Sequence, residues 1–311
     1  MILCVTLNPC LDKTLVTPAW KPGDAVRGRS YSHVVGGKGN NVARALKRLG
    51  RVARPVTFFG GIIGAHCERL LQRDDGFDPI VTETSFGTRV ITTVRGDDTE
   101  STAFFDPDPE ITVEEAAELV LSVEKALKAG GVDALVMSGS SPSVNTNETY
   151  SELIALARAR RVPTFLDTYG PPLNAIWGFW PSTMQLNRKE AGIYLNTPDP
   201  SDHDLLGLLT KWASHGVSIG IVTDGSNPVF AFYHKQFYRI TPPSVEVINP
   251  VGSGDCLVAG LVDARLKGVS IEESFRHAIG AAVANTLVWE AGAIDPETVA
   301  AQAEQVVIEA I

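Results

Sequence analysis

The sequence predicts an α/β protein: a mostly parallel sheet with helices on both faces, plus one small extra β-sheet. Three observations carry this. Short apolar runs alternate with helical patterns, two glycine-rich segments stand where helices begin, and two segments break the alternation. The alternation comes first. Val56-Thr57-Phe58-Phe59 precedes an expected helix over about 64–74, and an expected helix over 113–129 leads to the apolar run 134–137. A helical pattern over 147–160 leads to Pro163-Thr164-Phe165-Leu166-Asp167, and Ile219-Gly220-Ile221-Val222-Thr223 is a further strand. This rhythm implies crossover helices over both faces of a parallel sheet. Ligands of such sheets lie beyond the carboxyl ends of the strands. Ser138 and Asp167 fall at such ends.

The two breaks cover residues 13–35 and 88–105. The first shows little helical pattern. The second alternates as Val90, Thr92 and Val94, then Thr102 and Phe104, with Gly96-Asp97-Asp98 between. That spacing reads as a hairpin. Both segments lie outside the main rhythm and are expected to form one small sheet. There is no repeat, low-complexity tract or long linker, so the small sheet is expected as an insertion in a single domain over 1–311.

With 311 residues, 44% of them hydrophobic, the chain is long enough for one large α/β domain with an appendage, or for two domains. Its net charge of −9 disfavours sequence-independent binding to nucleic acid or to an anionic membrane, which relies on Lys and Arg. An anionic small substrate stays possible, because a local cluster of cations can hold one. The run Met1-Ile2-Leu3-Cys4-Val5-Thr6-Leu7 is too short for a signal peptide and reads as a first buried strand. No stretch reaches the roughly 20 apolar residues of a membrane span. Cys4, Cys10, Cys67 and Cys256 match no zinc spacing and are expected as free thiols in the cytoplasm. No two of the six histidines have metal-ligand spacing.

Asn249-Pro250-Val251-Gly252-Ser253-Gly254-Asp255 precedes an amphipathic run over 256–268, with Leu257, Val258, Leu261, Val262 and Leu266 at helical spacing. Backbone N–H groups at a helix start have no partner inside the helix, and the helix dipole adds positive charge there. Gly252, Ser253 and Gly254 therefore make an anion site with the Asp255 carboxylate beside it. Such a pair suits phosphoryl transfer: the base takes a proton from an attacking hydroxyl while the N–H groups hold charge on the phosphate. An Asp cap after a Gly-rich turn is the alternative. The second cluster, Val34-Val35-Gly36-Gly37-Lys38-Gly39-Asn40-Asn41, opens a helix with apolar residues at 42, 45, 46 and 49, closed by Gly50. Neither cluster completes G-x-x-x-x-G-K-[ST] or G-x-G-x-x-G.

Together, 36–50 and 249–260 resemble the two signatures of the PfkB/ribokinase family of sugar kinases. Further matches are Thr6-Leu7-Asn8-Pro9-Cys10-Leu11-Asp12, Thr88-Arg89, Ser138-Gly139-Ser140-Ser141-Pro142 and Asn187-Arg188-Lys189-Glu190. The likeness spans essentially the whole chain. The opening motif, Gly-Gly-Lys-Gly and Asn-Pro-Val-Gly-Ser-Gly-Asp look most like the hexose-phosphate branch, which contains 1-phosphofructokinase and tagatose-6-phosphate kinase. The resemblance implies a ribokinase-like three-layer sandwich whose small sheet is a lid over the sugar. It implies ATP- and Mg²⁺-dependent phosphorylation of a ketohexose phosphate (fructose 1-phosphate, tagatose 6-phosphate or fructose 6-phosphate) to the bisphosphate. A kinase for an unphosphorylated sugar or nucleoside, and a non-catalytic sugar-phosphate sensor, are the competing readings. Retention of both Asp255 and the glycine pair argues against the sensor.

Residue by residue, Asp255 is the base and Gly252, Ser253 and Gly254 form the anion hole. Asp12, Gly37, Gly39 and Asn41 are expected at the sugar. Lys38, Arg89 and Arg27 are expected at a substrate phosphate, where Arg suits bidentate contact. Ser138 adds a hydroxyl. Asn187 and Glu190, at i,i+3, order Mg²⁺ through water, or form a capping box, or both. Thr223 and Gly225 match the nucleotide-phosphate turn, and Asn285 lies on a helix expected at the adenine. Three departures from the family pattern stand out: Pro228 where a second glycine is usual, Asp106-Pro107-Asp108-Pro109 after the hairpin, and Thr92 near a position where Asn is frequent. Apolar positions on both faces of the small sheet allow a homodimer through it.

Overall fold

β1 (Ile2–Thr6) is buried along its whole length, and its side chains alternate between two cores. Ile2 and Cys4 enter one, Leu3 and Val5 the other. A strand covered on both faces has this signature. The structure is a computed structural model that describes residues 1–97, 101–176 and 178–311. After β1 come β2 (Cys10–Val16), β3 (Ser30–Gly36), α1 (Lys38–Arg48), β4 (Ala53–Gly60), α2 (Gly61–Arg73), β5 (Ile80–Thr84), β6 (Arg89–Arg95) and β7 (Thr102–Phe105). α3 (Val113–Ala129) leads to β8 (Ala134–Ser138), α4 (Thr149–Ala159) to β9 (Thr164–Asp167), and the short α5 (Pro171–Asn174) to β10 (Thr183–Asn187). α6 (Arg188–Leu195) and α7 (Asp202–Ser214) precede β11 (Ile219–Asp224), β12 (Asn227–Tyr233) and β13 (Gln236–Thr241). α8 (Ser253–Lys267), α9 (Ile271–Thr286), α10 (Pro296–Glu304) and β14 (Val307–Ala310) follow.

The large sheet has the order β14-β13-β12-β11-β10-β9-β8-β1-β4-β5. From β11 to β5 neighbours are parallel, and β12, β13 and β14 extend the other edge antiparallel. Leu46 of α1, Leu71 of α2, Leu257 of α8, Phe275 of α9 and Val299 of α10 share one core. Leu119 of α3, Leu153 of α4, Ala191 of α6 and Trp212 of α7 share the other. The result is a three-layer α/β sandwich. The strand order reverses direction at β1, between β8 and β4, and a crevice at the carboxyl ends follows from that switch.

The smaller sheet has the order β3-β2-β6-β7. It begins at Cys10, earlier than the expected residue 13. Cys10 and Leu11 pair with Gly36 and Val35 on one side and with Arg89 and Val90 on the other. Asp12 thus belongs to a strand. β6 and β7 pair antiparallel, as a hairpin requires. In the expected turn Gly96-Asp97-Asp98, Asp98 lies outside the described residues. The Arg95 guanidinium sits 4.4 Å from the Trp289 ring and ties the small sheet to the main body.

Two helix starts differ from the pattern in the sequence. α1 begins at Lys38, with Gly37 as its N-cap at φ 111°. α8 begins at Ser253, and every residue from Asp255 to Ala264 is buried. The one-sided pattern expected from 256 was too narrow, because α1 and α9 both pack on α8.

Candidate active site

A cleft of about 640 Å³ opens where the carboxyl ends of β1, β10 and β11 meet the smaller sheet. That size suits a small-molecule site. Asn8, Gly37, Lys38 and Asn41 line its middle, Asp12 and Arg89 its small-sheet side, and Asn187, Glu190 and Thr223 the opposite side. Gly252, Ser253, Gly254 and Asp255 form the floor. The two glycine-rich segments, about 210 positions apart in the chain, therefore meet.

Asp255 occupies the first turn of α8 and is 4% exposed. Burial raises its pKa to about 7; Lys38 opposes the rise, Asp167 adds to it, and a hydrogen bond from Asn41 opposes it. A carboxylate poised near neutrality is what a general base needs. Gly252 caps the helix at φ 86°, and a Cβ there would lie 2.6 Å from the Ala291 side chain. The Ser253 N–H turns back to the Pro250 carbonyl at 3.3 Å. Among the described residues, the N–H groups of Gly252, Gly254 and Asp255 have no acceptor. Of the expected Gly252-Ser253-Gly254 set, Gly252 and Gly254 thus keep free N–H groups, Ser253 does not, and Asp255 stands in its place.

Asn41 donates from Nδ2 to Asp255 Oδ2 at 2.8 Å. Its Oδ1 accepts from Arg44 Nη1 at 3.1 Å, which fixes the orientation of the amide. Arg44 is in turn held by Asp75 through bonds of 3.0 and 2.8 Å and by the Val35 carbonyl at 3.1 Å. An ion pair on the back of α1 is thereby linked to the carboxylate of Asp255. Burial raises the pKa of Asp12, with Arg44 opposing.

Lys38 is not a free cation. Its Nζ donates to Asp167 Oδ1 at 3.0 Å and to Glu190 Oε1 at 3.2 Å. Burial works against its charge, but Asp167, Glu190 and Asp255 hold its pKa well above the usual value. Asp167, fully buried at the end of β9, has its pKa raised by burial. In the sequence Asp167 stands at a strand end with no partner in sight, because one 129 residues away is invisible to local patterning.

Asn187 and Glu190 form a capping box at the start of α6: Asn187 Oδ1 accepts from the Glu190 N–H, and Glu190 Oε2 from the Asn187 N–H, both at 2.9 Å. Among the described residues, no cluster of three or more His, Cys, Asp or Glu can hold a metal alone. Thr223 Oγ1 accepts from Gln185 at 3.3 Å.

Five expected residues stand elsewhere. Gly39 lies outside the cleft wall; a Cβ there would meet the Val5 carbonyl at 2.4 Å, so it lets α1 cross β1 closely. Ser138 is fully buried, and Gly139 and Ser140 line the cleft instead. Gly225 sits in the β11–β12 turn at φ 57° and does not line the cleft. Pro228 follows at a β-bulge, where a missing N–H is tolerated. Asn285 is 1% exposed, with Nδ2 on the Val251 carbonyl (2.8 Å) and Oδ1 on the Gly292 N–H (2.9 Å). It clamps the loops around the start of α8. Arg27 is exposed on the β2–β3 connection, away from the cleft.

Arg89 reaches the cleft in another way. Its Nη1 donates to Asp108 at 2.8 Å and its Nη2 to the Asn8 carbonyl at 3.3 Å, while among the described residues its buried Nε has no partner.

Known proteins match this chain along nearly its whole length. The pfkB family carbohydrate kinase model matches residues 5–299. Phosphofructokinase-2 from Escherichia coli superposes with a TM-score of 0.88 at 25% identity, over 98% of each chain. A possible 1-phosphofructokinase from Thermotoga maritima gives 0.89 at 23% identity, over 100% of this chain and 99% of that one. A carbohydrate kinase from Agrobacterium tumefaciens gives 0.75 at 22%, over 100% and 99%. With its base candidate, helix-start amides and sheet topology in one cleft, the chain belongs to the pfkB family of carbohydrate kinases.

Proposed function

We propose that this kinase transfers the γ-phosphoryl group of ATP to a hydroxyl of a ketohexose phosphate, giving a bisphosphate. The observation that carries the reading is one cleft with Asp255 and unpaired helix-start amides on its floor and a guanidinium, Arg89, across from them. Phosphofructokinase-2 from Escherichia coli, a solved relative, has been determined with fructose-6-phosphate. Among the described residues Arg89 spends one N–H on Asp108 and one on the Asn8 carbonyl, and its charge is the one a substrate phosphate would pair with.

In this reading an Asp255 oxygen takes the proton of the attacking hydroxyl. The sugar oxygen then bonds to the γ-phosphorus as the bond to the ADP oxygen breaks. The amides of Gly252, Gly254 and Asp255 hold the charge on the transferring group. Lys38, fixed by Asp167 and Glu190, holds a positive charge beside it, and Thr223 faces the nucleotide phosphates. Asn187 and Glu190 fit Mg²⁺: both are oxygen donors in the cleft, and an ion that keeps water and phosphate ligands needs few from the protein. When bound, the ion neutralises phosphate charge. The smaller sheet is the lid. Tyr31, Phe104 and Phe105 on it are 67%, 56% and 65% exposed, which supports pairing with a second copy of the chain. Four buried free cysteines suit a reducing cytoplasm.

One observation favours an unphosphorylated sugar as the second reading: Asp108 already holds Arg89. Turnover of ATP with fructose 1-phosphate, fructose 6-phosphate, tagatose 6-phosphate, fructose and ribose separates the two. A charge-assisted hydrogen bond is worth about 1.5–3 kcal/mol. Arg89→Ala should therefore lower kcat/KM for the phosphorylated sugar roughly 10–150-fold and spare the unphosphorylated one. Equal losses on both sugars would make the simple-sugar kinase the better reading.

A further inference from the structure

The segment Asp106-Pro107-Asp108-Pro109 departs from the family pattern, and its place in the fold shows what it touches. Each aspartate precedes a proline, which restricts its backbone to extended conformations. The segment leaves β7 beside β6: the Asp106 N–H donates to the Val90 carbonyl at 3.0 Å, and Asp106 Oδ2 accepts from the Val90 N–H at 2.9 Å. Pro109 is buried and anchors the far end. Asp108 is thereby held against the guanidinium of Arg89. Its Oδ1 accepts from Arg89 Nη1 at 2.8 Å and from Asn8 Nδ2 at 2.9 Å. Side-chain exposure is 46% for Asp108 and 14% for Arg89, so the carboxylate can leave toward water while the guanidinium stays.

Charge in the cleft makes this contact matter. Asp12, Glu190, Asp255 and Glu290 line it, against Lys38 and Arg89. Lys38 is already shared between Asp167 and Glu190. Arg89 is the remaining cation among the described lining residues, and Asp108 covers part of it. A phosphate arriving there meets a fixed negative charge as well as the positive one.

We propose that Asp108 is a specificity-determining residue: an internal carboxylate that pairs with Arg89 and that the phosphate of the substrate must displace. The proposal rests on the ketohexose-phosphate reading for its substrate class, but not for the contact itself. Asp108 acts on KM for anionic substrates and leaves neutral sugars untouched. Partly exposed ion pairs are individually weak, and repulsion between like charges adds to the effect here. Removing the charge should therefore change affinity about tenfold.

The test compares the wild type, Asp108→Asn, Arg89→Ala and the double variant. Asn keeps an oxygen for the Asn8 bond, so the segment should stay in place. The measurements are kcat and KM for fructose 6-phosphate and for fructose, and inhibition by inorganic phosphate against whichever sugar is turned over. Asp108→Asn should raise kcat/KM for fructose 6-phosphate about tenfold through KM, leave fructose unchanged, and strengthen phosphate inhibition by a similar factor. The gains should vanish in the Arg89→Ala background. An unchanged or lower kcat/KM for the phosphorylated sugar, equal change on both sugars, or a gain that survives loss of Arg89 would overturn the assignment. If the wild type uses no sugar phosphate, the ketohexose-phosphate reading fails, and phosphate inhibition alone still decides the role of Asp108. Stronger inhibition in Asp108→Asn supports it, and equal inhibition overturns it.

Discussion

Helix α8 carries two buried carboxylates, Asp255 in its first turn and Asp263 further along, in opposite surroundings. Asp255 shares its neighbourhood with Asp167, Glu190 and a single cation, Lys38, and burial raises its pKa to about 7. Asp263 accepts from Arg51 Nε at 2.6 Å, from Lys267 Nζ at 2.7 Å and lies 2.8 Å from His277 Nε2. Burial works to raise its pKa too, but hydrogen bonds from His277, Lys267 and Arg51 hold it well below the usual range. One helix thus bears one carboxyl group whose proton affinity is raised and another whose proton affinity is lowered. Burial alone does not separate them; the count of cations does. Acid crowding at Asp255 costs stability and, in the proposed reaction, serves chemistry, whereas Asp263 pins α8 to the chain after α1 and to α9.

The largest expected effect breaks the functional half of this comparison. Asp255→Asn should lower kcat by roughly 10²–10⁴, the range for loss of a general base, with little change in ATP affinity. In the wild type, kcat/KM should rise with pH through about 7 and then level, because only the ionised carboxylate accepts the proton. The stability side has a definite sign. A carboxyl group whose pKa is raised on folding stabilises the fold at low pH, and that contribution is lost as pH rises through its folded value. Denaturant titrations should show the wild type losing stability relative to Asp255→Asn between about pH 4 and 7. A stability gap that does not change over that window would remove the buried-acid account.

Asp263→Ala breaks the structural half. Removing one partner of a buried ion pair costs about 3–5 kcal/mol. The low end applies here, because Arg51, Lys267 and His277 all reach solvent. Turnover per folded molecule should be unchanged. Since the Asp263 pKa is depressed, its contribution is present above the unfolded carboxylate value and fades as pH falls toward the folded one. Urea melts at several pH values should therefore show the cost of the substitution shrinking in acid.

A smaller effect sharpens the comparison. Arg44→Met frees the Asn41 amide to rotate and removes its fixed bond to Asp255. That bond favours the ionised carboxylate, so losing it should raise the Asp255 pKa and move the acid limb of kcat/KM upward, with roughly a tenfold loss near neutrality. A general packing defect would lower the rate without moving the limb, so the pH profile decides between them.

Much of the fold was legible in the chain. α3 was expected over 113–129 and is found at Val113–Ala129, because its apolar spacing and its Thr112/Glu115 capping box are local signals. β1, β8, β9 and β11 were legible as apolar runs because strands buried on both faces have no polar side to confuse the pattern. β12, β13 and β14 were not read, since they extend an edge that belongs to no strand–helix–strand rhythm. At the candidate site, Asp255 and its glycines could be seen because a helix start is a property of neighbouring residues.

The sequence by itself determined the α/β class, the two glycine-rich helix starts and the residue types available for phosphoryl transfer. All of these are read within a turn or two of chain. Tertiary structure alone decided which charges face one another. It placed Lys38 between Asp167 and Glu190, Asn41 between Arg44 and Asp255, and Arg89 beside Asp108. It also left Arg27 on the surface and enclosed Ser138 and Asn285 in the interior. The reason is physical: electrostatic environment depends on distances across the fold between residues up to 214 positions apart, and no local pattern carries them.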